Sequence, residues 1–142
     1  MSNSHGYYLE DLSIGMSDSI EKTITATDVA TFADLCGDHN PIHLDEEYAK
    51  TTTFGKRIVH GMFSAALISA VAGTKLPGAG GVYLSQTLKF RKPIFIDDTV
   101  ITSLTITDIN ERRGRVTMDA KVTVNDTVVV SGEAVYMVDK RP

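Results

Sequence analysis

The stretch from residue 61 to about residue 75 constrains the fold more than any other part of the sequence. Its apolar residues surround the helix axis instead of forming one stripe, so the predicted helix has to be enclosed by other structure. It is too short to cross a bilayer, which needs about 20 apolar residues. Its polar side chains, Ser64, Ser69 and Thr74, therefore need hydrogen-bond partners or a cavity. The apolar residues are Met62, Phe63, Ala65, Ala66, Leu67, Ile68, Ala70, Val71 and Ala72.

After this helix the apolar residues recur at every second position, which is typical of β-strands. Short segments rich in turn-forming residues separate the runs, and short connections favour antiparallel neighbours. The sequence therefore predicts an α+β fold in which an antiparallel sheet curls around the central apolar helix. One small sheet covers a helix incompletely, so we expect a second copy of the chain to complete its burial. The predicted strands are residues 17–25, 82–90, 100–106, 116–124 and 128–138.

The segment before the central helix contains a second predicted helix that ends in an irregular loop. Thr25 and Asp28 have the spacing of a capping box, and Gly37 is placed to end this helix. Pro41 excludes continuation of helix or strand through residues 37–41. A short helix is predicted over residues 45–50. We interpret residues 1–142 as a single domain, with residues 1–15 as a lead-in segment.

Charge and cysteine content narrow the classes of partner. The formal net charge of −4 argues against a general affinity for nucleic acid, whose phosphates repel an acidic surface. The single cysteine, Cys36, can form no internal disulfide, and we expect it to be a small buried hydrophobic residue. The N-terminus has no basic region followed by an apolar run, so we expect no signal peptide and no membrane association. A cytoplasmic location is the prediction.

The loop after the first helix is the best candidate for a reactive site. It brings Asp38, Asn40 and His43 within a few residues of forced irregular backbone. An Asp and a His together can transfer protons in both directions near neutral pH, which the hydration of a double bond requires. The same pattern is also good turn chemistry, in which Asp38 and Asn40 only make local hydrogen bonds. His43 would then be a surface histidine or a histidine paired within the core.

A second candidate site lies at the start of the central helix. The backbone N–H groups of a first helical turn lack internal partners, and Gly61 permits a negatively charged oxygen to approach them closely. Gly61 could equally serve only as a tight entry to the helix, and His60 as its cap. No Cys/His cluster has the spacing of a metal site, and no glycine-rich phosphate loop follows a strand. We therefore expect neither a metal nor a cofactor.

Taken together, these motifs resemble the R-specific enoyl-CoA hydratases of the MaoC-like hot-dog dehydratases. The resemblance covers roughly residues 15–138. Its most specific part is Asp38-His-Asn40-Pro41-Ile42-His43, followed later by His60-Gly61-Met62. Other matching positions are Phe32, Ala49, Leu76-Pro-Gly78, Tyr83, Gln86, Leu88, Phe90 and Pro93.

The resemblance implies a function and a role for each site residue. Asp38 and His43 would hold a water molecule and share the acid and base duties, with Asn40 and His60 supporting the loop. Gly61 N–H would bind the thioester oxygen, and Ser69 would help to shape the site. The implied reaction converts a trans-2-enoyl-CoA of short to medium acyl length into the (R)-3-hydroxyacyl-CoA, or the reverse. Members form homodimers with the substrate at the interface.

Two other functions compete with this one. Hot-dog folds also host thioesterases, which would place a carboxylate to activate water at the carbonyl carbon. A non-catalytic acyl-CoA-binding dimer module would bind the same ligand without turnover. The two residues of the Asp38–His43 pair favour the hydratase over both.

Overall fold

The alternating apolar runs form one antiparallel sheet. The computed structural model describes residues 4–142, and six strands of that part of the chain form the sheet. The strand order is β1-β4-β5-β6-β2, and β3 also pairs with β6, so β1 and β2 lie at opposite edges. The strands are β1 Ser17–Thr23, β2 Val82–Gln86, β3 Lys89–Phe90, β4 Thr99–Asn110, β5 Arg115–Val124 and β6 Thr127–Met137.

The α-helices of residues 4–142 are α1 Ala26–Cys36, α2 Pro41–Leu44, α3 Glu46–Lys50 and α4 Gly61–Thr74, and a short 3-10 helix spans Leu9–Asp11. The long helix α4 packs against β1 and β4. Leu67, Ile68 and Val71 of α4 are buried there. They join a hydrophobic core with side chains from β4 and β5: Val100, Leu104, Ile106, Val116, Met118, Ala120 and Val122. The prediction of an antiparallel sheet wrapped around a central apolar helix is confirmed.

One face of α4 is left uncovered by its own chain. Met62 is 60% exposed, and Ala66 and Gly73 are also exposed. The sheet therefore encloses this helix from one side, as the area of a single small sheet requires. The second copy that would complete the burial stays a prediction.

The first helix has the predicted bounds because its two ends are capped as the sequence indicated. Thr25 accepts a hydrogen bond from Asp28 N–H at 3.1 Å, and Thr25 N–H donates back to Asp28 at 3.0 Å. Gly37 ends the helix in the left-handed region, at φ 86°. Because Thr25 belongs to this capping box, β1 ends at Thr23, two residues before the end of the predicted strand 17–25.

Two elements differ from the prediction. The predicted strand 82–90 is divided into β2 and β3 by Thr87 and Leu88. At this break the backbone of Thr87 passes very close to β6, because a Cβ atom on Gly132 would lie 1.9 Å from the carbonyl oxygen of Thr87. The helix α2 was not predicted, since Pro41 was expected only to interrupt structure. Proline instead occupies the first helical position, where its missing N–H costs nothing, and the Asn40 side chain caps the turn.

The lead-in segment is attached to the core from residue 6 onward. Gly6 N–H donates to Ala79 O, and Leu9 N–H donates to Asp139 O, each at 2.8 Å. Leu9 and Leu12 are buried. Residues 1–3 of this segment lie outside the described residues.

The expectation that Cys36 is buried is wrong. Its side chain is exposed because Cys36 is the last residue of α1, whose buried residues are Val29 and Ala33. None of the helices in residues 4–142 has the length and hydrophobicity needed to span a membrane.

Candidate active site

The loop between α1 and α2 presents Asp38 at the protein surface. Asp38 accepts a hydrogen bond from Asn40 N–H at 3.2 Å, and the Asn40 side chain accepts one from Ile42 N–H at 3.1 Å. The turn chemistry predicted from the sequence is therefore present. The bond from Asn40 N–H uses only one of the two carboxylate oxygens of Asp38, so the other oxygen can accept a further hydrogen bond.

His43 follows on α2 and is buried, with 8% of its surface exposed. Its Nδ1 lies 2.8 Å from the carbonyl oxygen of Ile58. A carbonyl can only accept, so Nδ1 carries the proton and Nε2 carries a free lone pair in the neutral ring. Burial lowers the pKa of His43, and the neighbouring His60 lowers it further, against opposing effects of Ile58 O and Asp38. The ring is thus kept neutral with a basic nitrogen available.

His60 connects this loop to the start of the central helix. Its ring stacks on that of His43, with centroids 3.8 Å apart and planes inclined by 26°. Its Nε2 donates to the carbonyl oxygen of Asp38 at 2.9 Å, which joins two residues 22 positions apart. Phe32 of α1 also packs against His60, with the two ring centroids 5.0 Å apart. The supporting role of His60 stays a prediction.

Asp38, His43 and His60 form one cluster, in which one potential ligand atom from each lies within 4.8 Å of the others. Such a set has the residue types of a metal site. One nitrogen of each ring already contacts a backbone carbonyl oxygen, Nδ1 of His43 that of Ile58 and Nε2 of His60 that of Asp38. One nitrogen of each ring therefore remains for another partner.

Gly61 is the first residue of α4, immediately after His60. Its N–H is one of those without a partner inside the helix, and the positive end of the helix dipole lies there. The ring of Phe90 lies beside this position, and a Cβ atom on Gly61 would lie 2.9 Å from its Cε1 atom. A larger residue at this helix start would therefore require the exposed Phe90 ring to move.

A cavity of about 360 Å³ opens at this helix start. His60, Gly61 and Ser64 contribute to one wall, and the exposed cations Arg91 and Lys92 contribute to the cavity from the segment after β3. Most of the remaining lining is apolar: Phe54, Ile58, Val59, Phe90, Pro93, Ile94 and Val130. The cavity thus combines an apolar interior with positive charge and the partial positive charge of a helix start.

The other predicted site residue on α4, Ser69, lies away from this cavity. It is half-buried and interacts with the hydroxyl of Tyr136. Burial raises the pKa of Tyr136, and the neighbouring Ser69 opposes the rise. The structure therefore brings Asp38, His43, His60 and Gly61 into one region and does not bring Ser69 into it.

The sequence did not assign Ser64, Phe90, Arg91 or Lys92 to the site. Ser64 was noted only as a polar residue on an apolar helix, which was the available signal. Phe90 matched the family pattern without a role. The two cations come from a segment that reaches the cavity only through the pairing of β3 with β6.

A long helix packed against one antiparallel sheet of six strands is the hot-dog fold, which solved R-hydratases share. Residues 14–137 match the family model described as "MaoC like domain". This chain belongs to that family, and the resemblance seen in its sequence is confirmed.

Relatives with established names support this assignment. The "(R)-specific enoyl-CoA hydratase" of Rhodospirillum rubrum is 47% identical over 135 residues, covering 95% of this chain and 94% of the relative. The "3-hydroxybutyryl-CoA dehydratase" of Methylorubrum extorquens is 46% identical over 134 residues, covering 94% and 85%. Among solved structures, unliganded R-hydratase PhaJ1 from Pseudomonas aeruginosa is similar with a TM-score of 0.91 and 39% identity, covering 96% of this chain and 88% of that one.

Proposed function

We propose that this protein is a hydro-lyase that reversibly hydrates trans-2-enoyl-CoA thioesters to (R)-3-hydroxyacyl-CoA thioesters. The observation that carries the proposal is the placement of Asp38 and the neutral His43 beside the first turn of α4. The names of the relatives supply the reaction class and the R stereochemistry. The four-carbon substrate in the name of the Methylorubrum relative favours short to medium acyl chains.

In this mechanism Asp38 and His43 hold the attacking water. Nε2 of His43 takes one proton as the water oxygen bonds to C3, and the Asp38 carboxylate stabilises the resulting imidazolium. The electron pair of the double bond moves toward the thioester oxygen, where Gly61 N–H stabilises the developing enolate. Asp38 and the protonated His43 then return one proton to C2. Asn40 holds the loop through its bond to Ile42. Ser69, which lies outside this region, takes no part in the proposed mechanism.

The cavity at the helix start accommodates the thioester end of this substrate. Its apolar lining suits the pantetheine arm, and Arg91 and Lys92 suit the phosphates of the CoA carrier. The thioester oxygen would then lie at Gly61, with C2 and C3 directed toward His43.

We also propose that two chains, each a single hot-dog domain, form a homodimer through β2 and α4. The free edge of β2 carries exposed Val82 and Leu84, whereas β1 at the other edge is mostly polar, with exposed Ser17, Ser19 and Glu21. Exposed Met62 on α4 lines a shallow pocket with β2. A paired apolar edge protects strands that would otherwise associate at random.

The reaction is tested by mixing purified protein with crotonyl-CoA and following enoyl-thioester absorbance together with free thiol. A hydratase removes the absorbance without releasing thiol, and chiral analysis of the product gives the R isomer. Thiol release would support a thioesterase instead. Binding of crotonyl-CoA and of longer enoyl-CoA thioesters without any turnover would support the non-catalytic module.

A further inference from the structure

The side chain of Ser64 is a buried polar group that the mechanism above does not use. It is 1% exposed, and its Oγ has no hydrogen-bond partner among the residues that the structure describes. Ser64 also contributes to the wall of the cavity at the helix start. Because an unpaired buried hydroxyl is costly, a partner that enters this cavity is the simplest explanation for its retention.

Serine and threonine on a helix commonly satisfy themselves by bonding back to the carbonyl four residues earlier. Thr74 does so on this same helix, donating to Ala70 O at 2.7 Å. The hydroxyl of Ser64 makes no such bond to His60, whose carbonyl oxygen instead accepts from Phe63 N–H at 3.0 Å. The Ser64 proton is therefore available to a ligand.

Ser64 lies on the same face of α4 as Gly61, since residues three apart on a helix are neighbours. The Cα–Cβ bond of a helical residue tilts toward the helix N-terminus, so the hydroxyl of Ser64 leans toward the turn that Gly61 begins. Both residues line one cavity. An oxygen held there can meet a backbone N–H and a hydroxyl together.

His60 lines the same cavity but cannot play this part. Its Nε2 proton is donated to Asp38 O, so the remaining Nδ1 of the neutral ring is an acceptor. Nδ1 is buried and has no partner among the described residues, and an acceptor repels a developing oxyanion. Ser64 is thus the side chain of this wall able to donate to a negatively charged oxygen.

We propose that the hydroxyl of Ser64 is a second hydrogen-bond donor to the thioester oxygen of the substrate, beside Gly61 N–H. This inference rests on the proposed hydratase function. The hydroxyl transfers no proton. It shortens its bond to the oxygen as negative charge develops there, so it stabilises the enolate-like transition state more than the substrate.

The test compares Ser64→Ala with Thr102→Val in steady-state hydration of crotonyl-CoA. Thr102 is the matched control, because its Oγ1 is also buried without a partner among residues 4–142, but it lies on β4 and does not line the cavity. We expect Ser64→Ala to lower kcat about 10²-fold, the effect of removing one oxyanion donor, with little change in KM. Thr102→Val should keep the kcat of the unaltered protein.

A donor role also predicts rescue by a substitution that keeps the hydroxyl. Ser64→Thr adds a methyl group beside a cavity with room for it, and it should retain kcat within about tenfold of the unaltered protein, well above Ser64→Ala. If Ser64→Ala does not fold, as judged by circular dichroism, Ser64→Cys replaces it, because a thiol is a weaker donor and should also lower kcat.

Two results would overturn the inference. One is an unchanged kcat in folded Ser64→Ala, and the other is a rise in KM alone, which indicates uniform binding of the carrier and no preference for the transition state. Failure of the unaltered protein to hydrate crotonyl-CoA or longer enoyl-CoA thioesters would instead contradict the proposed function. The two failures are therefore distinguishable.

Discussion

At the scale of single residues, the proposed chemistry depends on which nitrogen of His43 carries the proton. The carbonyl oxygen of Ile58 holds that proton on Nδ1 and leaves the other nitrogen basic. Burial and the stacked His60 keep the ring from becoming charged at rest, while Asp38 favours the charged form once a proton arrives. A base of this kind is neutral at the start of the reaction and is stabilised during it.

The lowered pKa of His43 predicts the pH dependence of the reaction. The base must be unprotonated, so kcat/KM should fall with decreasing pH through the pKa of His43, which lies below its usual 6.5. A pH profile with crotonyl-CoA measures it. Loss of activity already well above pH 6.5 would contradict a neutral, buried His43 as the base.

The same pKa has a consequence for stability. Between the lowered pKa and 6.5 the unfolded chain binds the proton more readily, so the free energy of unfolding should decrease as pH falls through this window. His43→Gln should weaken that dependence. Half-buried His5 and exposed His39 have raised pKa values, mainly through hydrogen bonds with Gly6 and Asp34 respectively. Both histidines are present in the wild type and in His43→Gln, so their contributions cancel in the comparison. Denaturation curves at several pH values measure the difference.

The sequence identified Asp38, His43 and Gly61 as candidates because each belongs to a local pattern of residues. It could not place them together, since their proximity depends on the bond between His60 and Asp38 across 22 positions. The sequence equally could not predict that the Ser64 hydroxyl lacks a partner among the described residues. Whether a helical serine bonds to its own helix or faces a cavity depends on the packing of Phe90 and the segment that follows it.

At the scale of elements, the capped end of α1 positions the reactive loop. The capping box at Thr25 fixes where the helix begins, and the left-handed Gly37 fixes where the chain leaves it, one residue before Asp38. Both signals act through residues at most four positions apart. They could therefore be predicted from sequence, unlike the division of β2 from β3, which depends on Gly132 of a distant strand.

Removal of the cap gives a prediction at this scale. Thr25→Ala should lower the free energy of unfolding by about 1 kcal/mol, because Asp28 N–H loses its acceptor. Thr27→Ala is the control, since Thr27 is exposed in the same first turn and is not the cap. Urea denaturation of the two variants measures the difference. Equal midpoints would show that the box does not stabilise α1.

At the scale of the whole molecule, the two edges of the sheet differ in character. β1 presents polar and charged side chains, and β2 presents Val82 and Leu84 beside the uncovered face of α4. Sequence periodicity predicted that the central helix would be incompletely covered. It could not indicate which edge a second copy uses, because strand order is set by pairing between distant segments.

The proposed dimer predicts the effect of a charge on the β2 edge. Leu84→Asp should convert the proposed dimer, which has twice the mass of one chain, into a monomer. The substitution places a carboxylate in the apolar contact between the two β2 edges. Ile14→Asp is the control, since Ile14 is 66% exposed and adjoins β1 at the opposite edge. Light scattering after size-exclusion chromatography measures the mass. A wild-type monomer, or an unchanged mass for Leu84→Asp, would contradict this interface.

The central claim is that the Asp38 carboxylate and His43 hydrate the enoyl thioester. The most direct test is the turnover of crotonyl-CoA by Asp38→Asn beside Asp34→Asn, which makes the same change at an exposed carboxylate of α1 paired with His39. We predict that Asp38→Asn loses about 10²–10⁴-fold in kcat while keeping its fold, and that Asp34→Asn hydrates at the wild-type rate. Near-full turnover by folded Asp38→Asn would contradict the account.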